Sequence, residues 1–228
     1  MPDVLLLELD GVLFDLSAPR RDLLRHELAT AGIRLDEGEL RELAATHGFA
    51  SAMRTALARA ARPLDPTELD LSVLRAERAL ETRLASGASL VPGALGVLEA
   101  AQGVTRLALA TAAPRRRVDA ALALAGLVDR FEAVVTGDDL LDPPPAPELY
   151  ERTLERLARR RAVARPRTLA LVGTADGIRA ARAAGVRVVA VGELPPHAAV
   201  EADGHLHTLD DVSLAGLDQL AHIDARVP

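Results

Sequence analysis

Cysteine and lysine are both absent from the 228 residues, and only four side chains, three Phe and one Tyr, are aromatic. Without cysteine there is no disulfide, no thiolate metal ligand and no sulfur nucleophile. All 27 Lys-or-Arg positions are therefore arginine, and chemistry that needs a lysine ammonium has no residue to supply it. Long apolar runs are missing too. The N-terminal stretch Val4 to Leu7 is too short for a signal sequence or a membrane span, and no segment approaches the ~18 uninterrupted apolar residues a span requires. With 27 basic against 33 acidic side chains, the formal net charge of −6 leaves no electrostatic footprint for nucleic acid. The expectation is a soluble, cytoplasmic protein with neither membrane nor nucleic-acid partners.

What the chain does have is enough apolar content, 49%, to bury a large core or a core with a second lobe. Its organising stretch is Val4-Leu5-Leu6-Leu7-Glu8-Leu9-Asp10-Gly11-Val12-Leu13-Phe14-Asp15. An aliphatic strand here ends in two carboxylates, Glu8 and Asp10, one residue apart and so on one face of the chain. Open α/β sheets bind ligands beyond the carboxyl ends of their strands, where these acids emerge.

After Asp15 the apolar spacing becomes helical, through Leu23, Leu24, Leu28 and Ile33 and on to Leu69, Leu71, Leu74, Leu80 and Leu84, with breaks at Gly32, Gly38, Gly48, Pro63, Pro66 and 86–89. Some seventy residues without a convincing strand read as an inserted helical lobe. Val91-Pro92-Gly93 then opens a helix, with Pro92 suited to its first turn. Strands are expected at Leu107–Thr111, Ala133–Thr136, Thr168–Val172 and Val186–Val191, each separated by a helix, with a short edge strand at His205–His207. This alternation predicts a parallel sheet covered on both faces. The expected division is a core of 1–15 and 89–228 and a helical cap of 16–88.

The opening stretch resembles the first motif of the haloacid dehalogenase superfamily, in particular its capped phosphatases and β-phosphoglucomutases. The resemblance implies a Rossmann-like parallel sheet core with an inserted helical cap. It also implies a site, and four motifs appear in order. At the first, Glu8 stands where the family carries its nucleophilic Asp; the extra methylene shifts the carboxylate, and a misplacement of about 1 Å can cost on the order of 100-fold in rate. Asp10 keeps the general acid/base position, although its side chain could equally hydrogen-bond the turn. At the second, Thr111 and the Ala112 backbone stand where a phosphoryl oxygen is held, and a helix N-cap is the alternative for Thr111. At the third, Asp142 to Tyr150 match the frame of the family's lysine-bearing run, with Pro144 in the lysine position. At the fourth, Val172 and Gly173 stand where acids bind Mg²⁺. Asp176 lies three residues late, a metal ligand on one reading and a helix-first-turn acid on the other.

Arg115, Arg116 and Arg117 read as a solvated helix face or a contact to an anionic partner, with one of them leaning into the site in place of the absent lysine as the alternative. In the cap, Thr46 to Ser51 resemble in position the loop that faces the core site in capped relatives, which implies ligand-facing roles for His47 and Phe49, and Arg54 could reach an anion across the crevice; core packing for Phe49 and an exposed helix face for Arg54 are the alternatives. His205-x-His207 has zinc-like spacing but no further ligands nearby. Three of the four chemical positions thus depart from the family pattern in the same sense, because they remove its cations and its nucleophile. The expectation is a degenerate phosphatase site with no metal cofactor, Mg²⁺ included, in a pseudoenzyme that binds a small-molecule ligand or a protein partner. Two enzymatic alternatives remain open. One is metal-independent acid/base chemistry by Asp10 and Glu8, with like-charge repulsion raising one carboxyl pKa. The other is a hydrolase with Glu8 as nucleophile.

Overall fold

The computed structural model describes residues 1–62, 65–87 and 89–222; Pro63 and Ala88, two of the expected break positions, and the expected core end at 223–228 lie outside them. Six parallel strands form one sheet in the order β3-β2-β1-β4-β5-β6. They are β1 (Val4–Leu7), β2 (Arg106–Ala110), β3 (Ala133–Val135), β4 (Thr168–Val172), β5 (Arg187–Val191) and β6 (Gly204–Leu206). β1 is central, in register with β2 on one side and β4 on the other. That position explains its unbroken aliphatic run: Leu5 and Leu7 pack into one buried cluster, Val4 and Leu6 into the other.

The first cluster takes in α5 (Ala94–Ala101), α6 (Arg115–Ala125) and α10 (Leu214–Leu220); the second takes in α7 (Glu148–Ala158) and α8 (Ala175–Ala183). The result is a three-layer Rossmann-like core. α9 (Pro196–Ala199) is a single turn between β5 and β6. Strand positions expected from the sequence agree to within one or two residues. Pro92 is a different matter, because α5 starts only at Ala94, behind Gly93 at φ +80°. A side chain at Gly93 would fall on the Leu209 carbonyl, so the turn there requires glycine.

Among the described residues, four helices stand between β1 and α5: α1 (Ser17–Thr30), α2 (Glu37–Thr46), α3 (Phe49–Arg59) and α4 (Pro66–Ala85). They bury a cluster of their own around Leu24, Leu28, Leu40, Phe49 and Met53. Asp36 and Glu39 form a capping box at the start of α2, and Asp65 with Pro66 starts α4. In α4 the buried stripe is Ser72, Ala76, Leu80 and Leu84, an i+4 repeat, so Leu71 and Leu74 fall off it and are exposed. The chain crosses between the lobes twice, side by side: Asp15 N–H donates to the Ser89 carbonyl at 3.0 Å.

Candidate functional site

At the C-terminal end of β1 the core and the cap line a cavity of ≈ 140 Å³ that is open to solvent on one side. Glu8, Asp10, Thr111, Ala112, Phe49 and Arg54 all line it. Six of the seven site residues expected from sequence are thus brought together. The seventh, His47, turns instead to the core, where its Nδ1 lies 2.7 Å from Asp176 Oδ2.

Glu8 is 8% exposed. The Gly173 N–H donates to its Oε2 at 2.9 Å, and the Tyr150 hydroxyl reaches its Oε1 at 3.4 Å. Burial pushes its carboxyl up to about 8, with the Asp10 charge adding to the rise and the Gly173 N–H opposing it. The expected rise of one carboxyl is therefore present, but repulsion is only its lesser cause. Tyr150 is raised well above its ordinary value by the same burial and by Glu8.

Asp10 does not hydrogen-bond its own turn. Arg117 Nη1 and Nη2 donate to Asp10 Oδ1 and Oδ2 at 2.5 and 2.9 Å, and Arg117 Nε donates to Glu77 Oε2 on α4 at 2.8 Å. Burial by itself would raise Asp10, yet the charge and hydrogen bonds of Arg117 hold the carboxyl below its usual range. For Glu77 burial outweighs Arg117, and the carboxyl lies above its usual range. The Arg117 side chain is 3% exposed. The reading of Arg115, Arg116 and Arg117 as one solvated face therefore fails at Arg117. Arg116, by contrast, stays in water and meets Glu81 of α4 at 2.9 Å. The alternative that one of the three leans into the site holds for Arg117, which bridges both lobes; Arg20 and Glu77 are the site residues that sequence reasoning missed.

Thr111 does not cap α6, whose N-cap is Pro114. Its hydroxyl oxygen instead accepts the Ala113 N–H at 3.1 Å. Phe49 serves as both core and wall, 8% exposed in the cap cluster while lining the cavity. Arg54 is exposed at the cavity and has no hydrogen-bonded or ion-paired partner among the described residues. Arg20, also lining the cavity, donates through Nη2 to the carbonyls of His47 at 2.9 Å and Ala44 at 3.4 Å, which pins the end of α2. Pro144 lines the wall as an apolar surface.

The family model for haloacid dehalogenase-like hydrolases matches residues 3–192. The chain belongs to this family. Protein CbbY of Cereibacter sphaeroides is 30% identical over 240 aligned positions, covering 100% of this chain and 99% of that one. Protein CbbY of Rhodobacter capsulatus is 35% identical over 133 positions, and that match spans only 56% of either chain. Among solved structures, CbbY from Rhodobacter sphaeroides in complex with xylulose-(1,5)bisphosphate superposes with a TM-score of 0.79 at 26% identity, covering 96% of this chain and 100% of that one.

Relatives in the haloacid dehalogenase-like family are expected to use Mg²⁺, and the residues here do not fit it. The ion requires several hard oxygen ligands in near-octahedral array. Val172 and Gly173 carry no side-chain oxygen, both Asp10 carboxylate oxygens face a guanidinium, Asp176 is taken up by His47 and Arg179, and burial keeps Glu8 mostly protonated. Gly173 is held tightly as well. A β-carbon there would lie 2.9 Å from the Asp10 carbonyl oxygen and 3.3 Å from Gly11 Cα, while Gly11 itself sits at φ +80°.

Proposed function

We propose that this haloacid dehalogenase-like protein is a non-hydrolytic binder of a small molecule held between core and cap, and that it uses no metal. The observation that supports this reading is the Arg117–Asp10 pair. A general acid must be free to reach its leaving group, and Asp10 has both oxygens engaged by Arg117. With burial holding Glu8 at about 8, its carboxyl is mostly protonated at neutral pH and is a poor nucleophile toward phosphorus. Pro144 adds no cation, and phosphoryl transfer depends on fixed positive charge.

A bisphosphate of the kind bound by the CbbY relative carries several negative charges. Here Arg117 is already neutralised, and the cavity of ≈ 140 Å³ is close to the engineered cavity of about 150 Å³ that takes benzene. A small ligand fits both size and charge better than a sugar bisphosphate.

Glu8 supports a second reading. A buried, protonated carboxyl beside Tyr150 is a general acid at neutral pH, and metal-independent acid/base turnover of the bound molecule would use it.

The test is an assay of the purified chain against a generic phosphate monoester and a panel of sugar phosphates, with and without Mg²⁺, beside Glu8→Gln. No phosphate release under any condition is the expected result. Mg²⁺-dependent release that disappears in Glu8→Gln would overturn the proposal and make Glu8 a nucleophile.

A further inference from the structure

The charges around the cavity narrow the ligand class. Three cations line it, Arg20, Arg54 and Arg117. Arg117 is answered by Asp10 and Glu77. Arg20 has its Nη2 on the carbonyls of His47 and Ala44 and no ion-paired carboxylate among the described residues. The remaining lining acid, Asp176, is answered by His47 and, at 3.4 Å, by Arg179. With Glu8 protonated, the lining cations Arg20, Arg54 and Arg117 exceed the lining carboxylates Asp10 and Asp176 by one, and Arg54 alone has no hydrogen-bonded or ion-paired partner among the described residues. A dianion brought here exceeds that surplus by one charge, and desolvated charge without a partner is costly.

Beside the hydroxyls of Ser51, Thr111 and Thr174, the rest of the wall is largely apolar, with Phe49, Leu80 and Pro144 its largest surfaces. Leu80 is fully buried and Phe49 nearly so. A cavity of ≈ 140 Å³ lined in this way holds a body of about six non-hydrogen atoms, by comparison with the engineered benzene site. Glu8 does not repel an anion at neutral pH, since burial keeps it protonated.

We infer that the ligand is a compact monocarboxylic acid whose apolar body packs on Phe49 and Leu80 and whose carboxylate pairs with Arg54. This rests on the reading of the site as non-hydrolytic, and it names the ligand class that such a site takes. Ligands of this class bind without metal. A phosphate ester of the same shape binds less well, because its second charge is unmatched.

Isothermal titration of the full chain with benzoate, benzyl alcohol and phenyl phosphate, in metal-free buffer and in Mg²⁺, tests the inference. Benzoate is expected to bind at least about tenfold more tightly than either analogue, since a hydrogen bond to a charged group is worth about 1.5–3 kcal/mol. Arg54→Ala, at an exposed position, should weaken benzoate by a similar factor. Ala50→Trp should fill the cavity and abolish binding, with circular dichroism confirming the fold; if that variant does not fold, Arg54→Ala carries the test. Phenyl phosphate that binds as tightly as benzoate without being hydrolysed overturns the ligand class and leaves the non-hydrolytic reading standing. Phenyl phosphate that is hydrolysed in Mg²⁺ overturns both. Absence of benzoate binding at millimolar concentration, or binding unchanged in Arg54→Ala, also overturns the inference.

Discussion

Arg117 on α6 and Asp10 beyond β1 form a two-point ion pair, 2.5 and 2.9 Å, and the same guanidinium reaches Glu77 of the cap at 2.8 Å. Core acid, core base and cap acid thus share one buried charge system. Removing one member strands the others out of water.

Denaturation of single and double variants measures this directly. Asp10→Asn and Arg117→Met should each cost about 3–5 kcal/mol, the usual penalty for breaking a buried pair from one side. The double variant should cost less than the sum of the two, with a coupling of about 0.5–3 kcal/mol. Strict additivity would mean that the two side chains do not interact in solution.

Glu8 gives a pH dependence with a definite sign. Its carboxyl rises from 4.5 to about 8 on folding. Stability from this group is therefore complete below pH 4.5 and is lost as pH climbs from there through about 8, because only the unfolded chain ionises across that window. Glu8→Gln has no such loss; its amide oxygen can accept the Gly173 N–H while its NH₂ faces the Tyr150 hydroxyl. Relative to this variant, wild type should lose on the order of a few kcal/mol between those limits. Asp10 acts oppositely: held below 3.8, it contributes stability that disappears as the solution becomes more acidic than that. Parallel pH–stability curves for wild type and Glu8→Gln would show that Glu8 titrates as an ordinary carboxyl.

The His47–Asp176 contact ties the end of α2 to the start of α8. His47→Ala leaves the Asp176 carboxylate, whose side chain is almost fully buried, with only Arg179 at 3.4 Å. The variant should lose about 1–3 kcal/mol, and amide exchange over residues 44–51 should speed up relative to the sheet. Unchanged exchange there would mean the cap is held without this contact.

Magnesium should leave the melting temperature where it is. A ligand at a hundred times its Kd stabilises a fold by about 2.7 kcal/mol, an easily read shift. Saturable stabilisation by Mg²⁺ that is lost in Asp10→Asn would mean that the cation displaces Arg117.

Much of this was legible in the letters. β1, β2, β4 and β5 announce themselves as aliphatic runs between helical segments, and the lobe from α1 to α4 as helical spacing without strands. The convergence of Glu8, Asp10 and Thr111 follows from strand ends meeting at one edge of the sheet. Arg117 was one of three successive arginines that could lean into the site, and helical period held the cue to which. It stands four residues before Ala121 as Val118 stands before Leu122, on the stripe α6 buries, while Arg115 and Arg116 do not. The His47–Asp176 contact had no cue at all, because 129 residues separate the partners and no pattern in either helix points across the gap. For Glu8, a sequence shows which acids are neighbours but not how dry the site is, and dryness is the larger cause of its shift.

The crowding at Gly173 bears on ancestry. Its α-carbon lies so near the Asp10 carbonyl and Gly11 that any side chain requires the β1 turn to move. An acid at this position and the present approach of the two loops exclude one another. Reinstating the acid alone meets a steric barrier before any gain in metal affinity, so the change works as a ratchet, easy in one direction and blocked one step at a time in the other.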